Sequence, residues 1–171
     1  MSPPSLVPTS TLSNGKERYL LAQSLAKVTL HIVFSTKYRY PFLHDSTIRH
    51  KTHAYMGGIC NRLGCPAIAV GGVDDHAHIL CSLSRTLTIA DLLEEVKKCS
   101  SAWVKDTDPD LQQFRWQGGY AVFSVSERAV DIVRRYIQNQ EAHHGKKNFQ
   151  KELRTLLAEH KVEYDERFIW D

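Results

Sequence analysis

From Val28 onward the chain alternates. Val28, Leu30, Ile32 and Phe34 fall on one face of a predicted strand and Thr29, His31, Val33 and Ser35 on the other, the pattern of a half-buried β-strand. The period then lengthens: Ile48, Tyr55, Ile59 and Leu63 recur at helical spacing, so a helix is predicted over Asp45 to Leu63, with Gly64 placed to end it. Two short strands follow, Ala67 to Val73 and His76 to Leu83, joined near Asp74-Asp75 as a tight hairpin. Thr88 opens a second helix with Ile89, Leu92, Leu93, Val96, Trp103 and Val104 on its apolar side. An irregular stretch, Phe114 to Tyr120, leads into a strand over Ala121 to Val125. Ser124 with Glu127 fits a capping box, or Ser126 caps instead, at the start of a helix that carries Tyr136 and runs to about His143 to Gly145. A last helix spans about Asn148 to His160. The order β-α-β-β-α-β with helices appended predicts an α+β, ferredoxin-like core with an antiparallel sheet. Residues 1–24, rich in Ser, Pro and Thr, read as a flexible extension with a short helix near Arg18 to Ser24, and residues 25–171 as one domain.

Composition narrows the class without choosing a function. A chain of 171 residues with 42% hydrophobic content can bury one sizeable core. A net charge of +3 is too small to argue for nucleic acid by itself, so any DNA contact must come from clustered basic residues. The four cysteines lack CxxC spacing, which points to reduced thiols. No apolar stretch approaches the roughly 20 residues that span a bilayer, and the N-terminus has no charged start followed by an apolar run. A soluble, cytoplasmic protein without membrane contact is expected.

The candidate chemistry lies in His76 and His78. On a strand, residues two apart project from the same side, so the two imidazoles aim at one place while Ala77, Ile79, Cys81 and Leu83 line the opposite, apolar face. Leu80 shares the histidine side and implies partial burial there. Tyr136 and Gln140 are spaced i, i+4 in a helical pattern, on one helix face. Two imidazoles and an amide oxygen can hold a divalent cation and leave positions open for phosphate oxygens and water. A free phenol has a pKa of about 10 and is a poor nucleophile at neutral pH, whereas a neighbouring cation favours the phenolate. Tyr136 therefore makes sense as a nucleophile only beside such a metal; otherwise it is half-buried packing at the edge of its helix's apolar stripe.

His76-Ala77-His78 matches the His-hydrophobic-His (HUH) motif, and Tyr136-Ile137-Gln138-Asn139-Gln140-Glu141-Ala142-His143-His144 matches the tyrosine helix of the single-tyrosine HUH transposases of the IS200-like group. Val33 to Arg39 and Trp116 to Ser126 also resemble that group, with Ala121 where a glycine is common. The resemblance spans about residues 25–171. It implies a ferredoxin-like core, a homodimer with sites shared between subunits, and Mg²⁺ or Mn²⁺ held by His76, His78 and Gln140. It further implies that Tyr136 cleaves and rejoins single-stranded DNA near hairpin ends of a mobile element through a 5′-phosphotyrosine link. No GxxxxGK[ST] loop is present, in keeping with chemistry that conserves the bond energy.

Lys37, Tyr38 and Arg39 interleave basic and aromatic side chains suited to phosphate contact and base stacking, or form a solvated loop. A metallohydrolase of the histidine-triad type is a remote reading, because Leu80 occupies the place a third alternating histidine would take, and two other readings stand beside the transposase. One is an HUH nickase or domesticated hairpin-processing relative with the same chemistry. The other is a hairpin-binding protein without catalysis, which would have no need of His76, His78, Tyr136 and Gln140 together.

Overall fold

A computed structural model describes residues 25–141 and 149–170. The expected N-terminal extension, His143 and His144 lie outside the described residues. The elements are β1 (Thr29–Ser35), α1 (Ser46–Arg62), β2 (Ala67–Gly72), β3 (His76–Ser82), α2 (Ile89–Thr107), β4 (Ala121–Val125), α3 (Val130–Gln138) and α4 (Phe149–Glu159). The four strands form one antiparallel sheet in the order β2-β3-β1-β4, so the fold is α+β with β1 and β3 at its centre.

Local chemistry explains the boundaries. The Asp45 side chain accepts from the Thr47 and Ile48 amides at 2.7 and 3.0 Å and starts α1, while Gly64, at φ 70°, closes the turn beyond it. Thr88 accepts from the Asp91 amide at 3.1 Å and starts α2. The β2–β3 hairpin closes with the Val73 amide donating to the His76 carbonyl at 3.1 Å. Its tip is tied to the chain beyond β1, because the Thr36 amide donates to Asp75 O at 2.8 Å and the Leu43 amide to Asp74 O at 3.0 Å. The histidine strand is thereby fixed at its first residue.

Two expectations change. Strand β1 is buried along its whole length and not on one face only. Leu30, Ile32 and Phe34 join Ala77, Ile79 and Cys81 in a core against α1 and α2. On the other face Val33 and Phe123 pack with Phe149, Leu153 and Leu157 of α4. The molecule is thus three layers deep, and the layer carrying the histidines is roofed by the C-terminal helices. The start of α3 also differs. A 3-10 turn at Glu127–Ala129 precedes it, and neither the turn nor α3 has a side-chain cap hydrogen bond, so the Ser124 and Ser126 caps do not form.

Candidate metal and nucleophile site

The site sits on the roofed face of the sheet. His76 and His78 project from β3 and are fully buried. In register, Ser35 and Val33 of β1 lie opposite them on one side, and Gly71 of β2 lies opposite His78 on the other. A Cβ at Gly71 would stand 2.6 Å from the Ile137 carbonyl oxygen, so the missing side chain is what lets α3 lie directly on the sheet. That seat brings the half-buried Tyr136 edge-on to His78, with ring centroids 5.8 Å apart.

Helix α3 ends at Gln138, and a turn at Asn139 separates it from Gln140, so the two residues are not on one continuous helix. They still converge. The Tyr136 hydroxyl donates to Glu152 Oε1, and Gln140 Nε2 donates to the same oxygen at 2.9 Å. Glu152, on α4, faces both histidines: Oε1 is 3.2 Å from His78 Nε2 and Oε2 is 3.5 Å from His76 Nε2. The opposite ring nitrogens are held from behind. Asp75 Oδ1 lies 2.7 Å from His76 Nδ1, and His31 Nε2 lies 3.0 Å from His78 Nδ1.

Charge in this pocket is strongly coupled. Burial alone would raise the Glu152 carboxyl, but the hydrogen bonds and charge of His76 and His78 outweigh it and hold the group well below the usual carboxylate range. Burial would lower His76, yet Asp75 and Glu152 push it up to about 9. Burial and the neighbouring His76 hold His78 below its ordinary value. His31 is pushed down to about 3 by burial and by His78, so it is neutral. Tyr136 is raised above its ordinary value, by burial first and then by the Glu152 carboxylate. As it stands the phenol keeps its proton.

The donor set fits a divalent cation. Ligand atoms of His76, His78 and Glu152 lie within 4.8 Å of one another, all from buried residues. His78 Nε2 is fully buried and faces the Glu152 carboxylate, 3.2 Å away. A buried polar atom of that kind commonly marks a ligand place. Two imidazoles with one carboxylate suit a first-row transition ion.

Comparison with known proteins gives the family. Residues 24–140 match the model of the IS200-like transposases, more than half of the chain. The chain belongs to the IS200-like transposase family. It is 24% identical over 115 residues to the ISDra2 transposase TnpA of Deinococcus radiodurans, covering 64% of this chain and 81% of that protein. Among solved structures, a Deinococcus radiodurans protein described as a transposase superposes with a TM-score of 0.55 at 23% identity, covering 72% of this chain and 98% of the other. A REP-associated tyrosine transposase bound to a REP hairpin superposes with a TM-score of 0.53 at 14% identity, over 75% of each chain. These last two likenesses speak to the fold.

In this IS200-like transposase, α4 lies beyond the matched segment, and Glu152 is the group that sequence reasoning missed. A legible signal existed: Phe149, Leu153 and Leu157 set a buried face, and Glu152 falls within it, one turn from Phe149. His31 was also missed, although it shares a strand face with Val33 and Ser35. Lys37, Tyr38 and Arg39 form an exposed 3-10 turn just after β1, at the sheet end where Asp75 lies. Tyr38 is 75% exposed and takes a left-handed φ of 58°, with Lys37 Nζ 4.6 Å from its ring centroid. The hydrogen bonds and ion pairs that join Tyr136, Gln140, Glu152, His76 and His78 do not involve Lys37, Tyr38 or Arg39. On α2, the Lys97 ammonium donates to the Gln117, Gly118 and Gly119 carbonyls at 3.1, 3.1 and 2.7 Å and fastens that loop. All four cysteines are free thiols, and no helix among the described residues is long and apolar enough to cross a membrane.

The seat of α3 makes a first prediction. Gly71→Ala forces Ile137 outward by several tenths of an ångström and carries Tyr136 with it. Because a displacement of about 1 Å can cost on the order of 100-fold in rate, the DNA cleavage proposed below for Tyr136 should fall by about 10- to 100-fold. Gel assay of cleavage rates checks this, and a wild-type rate in the alanine variant would show that the seat does not set the tyrosine position.

Proposed function

We propose that this transposase cleaves and rejoins single-stranded DNA at the hairpin ends of a mobile element, with Tyr136 as nucleophile and a divalent cation, Mg²⁺ or Mn²⁺, as cofactor. The observation that carries the reading is the shared carboxylate: the Tyr136 hydroxyl meets Glu152, which also faces His76 and His78. His76, His78 and Glu152 would hold the ion. Gln140 orients Glu152 through its amide nitrogen, and a half-turn of that amide would add its oxygen as a further ligand. A bound cation supplies positive charge that stabilises a phenolate and the phosphate oxygens.

The residues of the chain do the rest. Tyr136 Oη attacks the scissile phosphorus, its proton passing by way of the hydrogen bond to Glu152 into solvent, which returns one to the departing 3′-oxygen. The Oη–P bond forms and the P–O3′ bond breaks, leaving a 5′-phosphotyrosine and a 3′-oxygen that takes a proton from water. In the reverse sense a 3′-hydroxyl attacks the phosphotyrosine and Tyr136 leaves as the phenol. One phosphodiester replaces another, so no nucleotide hydrolysis is needed. Lys37, Tyr38 and Arg39 offer phosphate and base contacts on the exposed 3-10 turn after β1.

We also take the working unit to be a homodimer in which the sites are shared. The contacts described above are made within one chain. Exchange of the whole chain from α3 onward, α4 included, between two copies would preserve every one of them and alter the connection through residues 126–129. What supports sharing is the resemblance to the single-tyrosine group.

The test is direct. Incubated with Mn²⁺ and single-stranded DNA from the flanks of its own gene, the protein should form a denaturant-stable adduct that maps to Tyr136 by peptide mass. His76→Ala or His78→Ala should reduce adduct formation by orders of magnitude and also lower the melting temperature, since each ring is buried against Glu152. Undiminished adduct in EDTA would exclude the metal role.

A further inference from the structure

We infer that His31 is a positioning residue for the metal centre: it holds the His78 ring so that Nε2 is presented to the cation. The inference rests on the metal-assisted reading above and concerns a residue outside the HUH and tyrosine motifs.

A neutral imidazole carries one N–H. A ring that gives its Nε2 lone pair to a cation must carry that proton on Nδ1, and a buried N–H needs an acceptor. His76 has one in the Asp75 carboxylate, 2.7 Å from its Nδ1. For His78 the corresponding group is His31, whose Nε2 lies 3.0 Å from His78 Nδ1. Strand pairing puts His31 opposite Leu80, one diagonal step from His78 on the same face. The two rings stack at 5.2 Å with 22° between their planes. His31 is only 3% exposed and is walled by Phe123 and by the edge of Tyr136, each at 6.2 Å between centroids. Its ring therefore has little freedom to turn away.

The choice of an imidazole over a second carboxylate has a physical reason. Asp75 and Glu152 already bring negative charge to this buried place. A neutral acceptor behind His78 fixes the tautomer without a further buried charge, whose desolvation would be costly. Partners of this kind behind metal-bound histidines typically contribute about 10- to 100-fold in metal affinity.

Packing and positioning make opposite demands on this residue. If His31 only filled space, His31→Phe would be the mild change and His31→Gln, which buries an amide, the harsh one. If it accepts the His78 proton, His31→Gln retains an acceptor and His31→Phe does not. The experiment titrates Mn²⁺ calorimetrically into the full-length wild type and both variants, with thermal melts in EDTA alongside. His31→Phe should weaken Mn²⁺ binding by about 10- to 100-fold, and His31→Gln should recover most of it while melting no higher than His31→Phe. Equal affinities in wild type and His31→Phe would overturn the inference, as would His31→Gln binding no better than His31→Phe. A second measurement needs no variant: ¹⁵N shifts of the Mg²⁺-loaded wild type should place the His78 proton on Nδ1, and a proton on Nε2 would also overturn it. Wild type that fails to bind Mn²⁺ would refute the metal reading as well, whereas wild-type binding with unaltered His31→Phe refutes only the role of His31.

Discussion

Tyr136→Phe should abolish the covalent protein–DNA adduct while leaving the fold and hairpin binding in place. The substitution removes one oxygen. The ring remains edge-on to His78 and His31, and the seat of Ile137 on Gly71 is untouched. Glu152 loses one hydrogen bond but keeps Gln140 at 2.9 Å and the two histidines within 3.5 Å, so it is not stranded. A lost hydrogen bond to a charged group is worth about 1.5–3 kcal/mol at most, and relief of the buried phenol offsets part of it. Adduct formation, by contrast, should drop to the background of the assay, because no other described hydroxyl is seen to meet the Glu152 carboxylate. Denaturing gels read the adduct, and a thermal melt with a DNA-binding assay reads the rest. An adduct at wild-type yield in the phenylalanine variant would remove Tyr136 from the mechanism.

The HUH face, the α+β order and the hairpin were legible because each rests on a local period: two for β3, 3.6 for α1 and α2, and turn residues between them. The depth of burial was not. Alternation along β1 marks His31, Val33 and Ser35 as the polar side of a strand, and only the docking of α4 through Phe149, Leu153 and Leu157 turns that side into an interior. The same event hides Glu152. Its place within the apolar face of Phe149, Leu153 and Leu157 hints at burial, but nothing in the sequence says that this face lies over two histidines. The spacing of Tyr136 and Gln140 led to the right neighbourhood by an incomplete route. The helix closes at Gln138, and the two side chains meet because both reach Glu152 and not because they share a helix face. Gly71 shows the reverse relation: a glycine inside a strand can signal close backbone approach, and here Ile137 is what approaches.

Mixing two inactive variants should restore cleavage if the site is shared between copies. Tyr136→Phe lacks the proposed nucleophile, and the double variant His76→Ala, His78→Ala lacks both proposed imidazole ligands, so neither protein alone should cleave. In a heterodimer with the chain from α3 onward exchanged, one composite site is doubly defective. The other joins the intact tyrosine of one chain to the intact histidines of its partner. Cleavage should then recover up to about half of the wild-type sites, by counting the two composite positions of a two-fold dimer. The energetics leave both arrangements open to the chain. Ile137 over Gly71, Tyr136 against His78 and the hydrogen bond to Glu152 are the same contacts whether the chain from α3 onward folds back or crosses over. The two arrangements differ at residues 126–129, the stretch between β4 and α3 that would have to open for the chain to cross. Purified, mass-verified heterodimers that recover nothing would assign cleavage to the intrachain site, where Tyr136 serves the histidines of its own chain, and would leave the tyrosine chemistry standing.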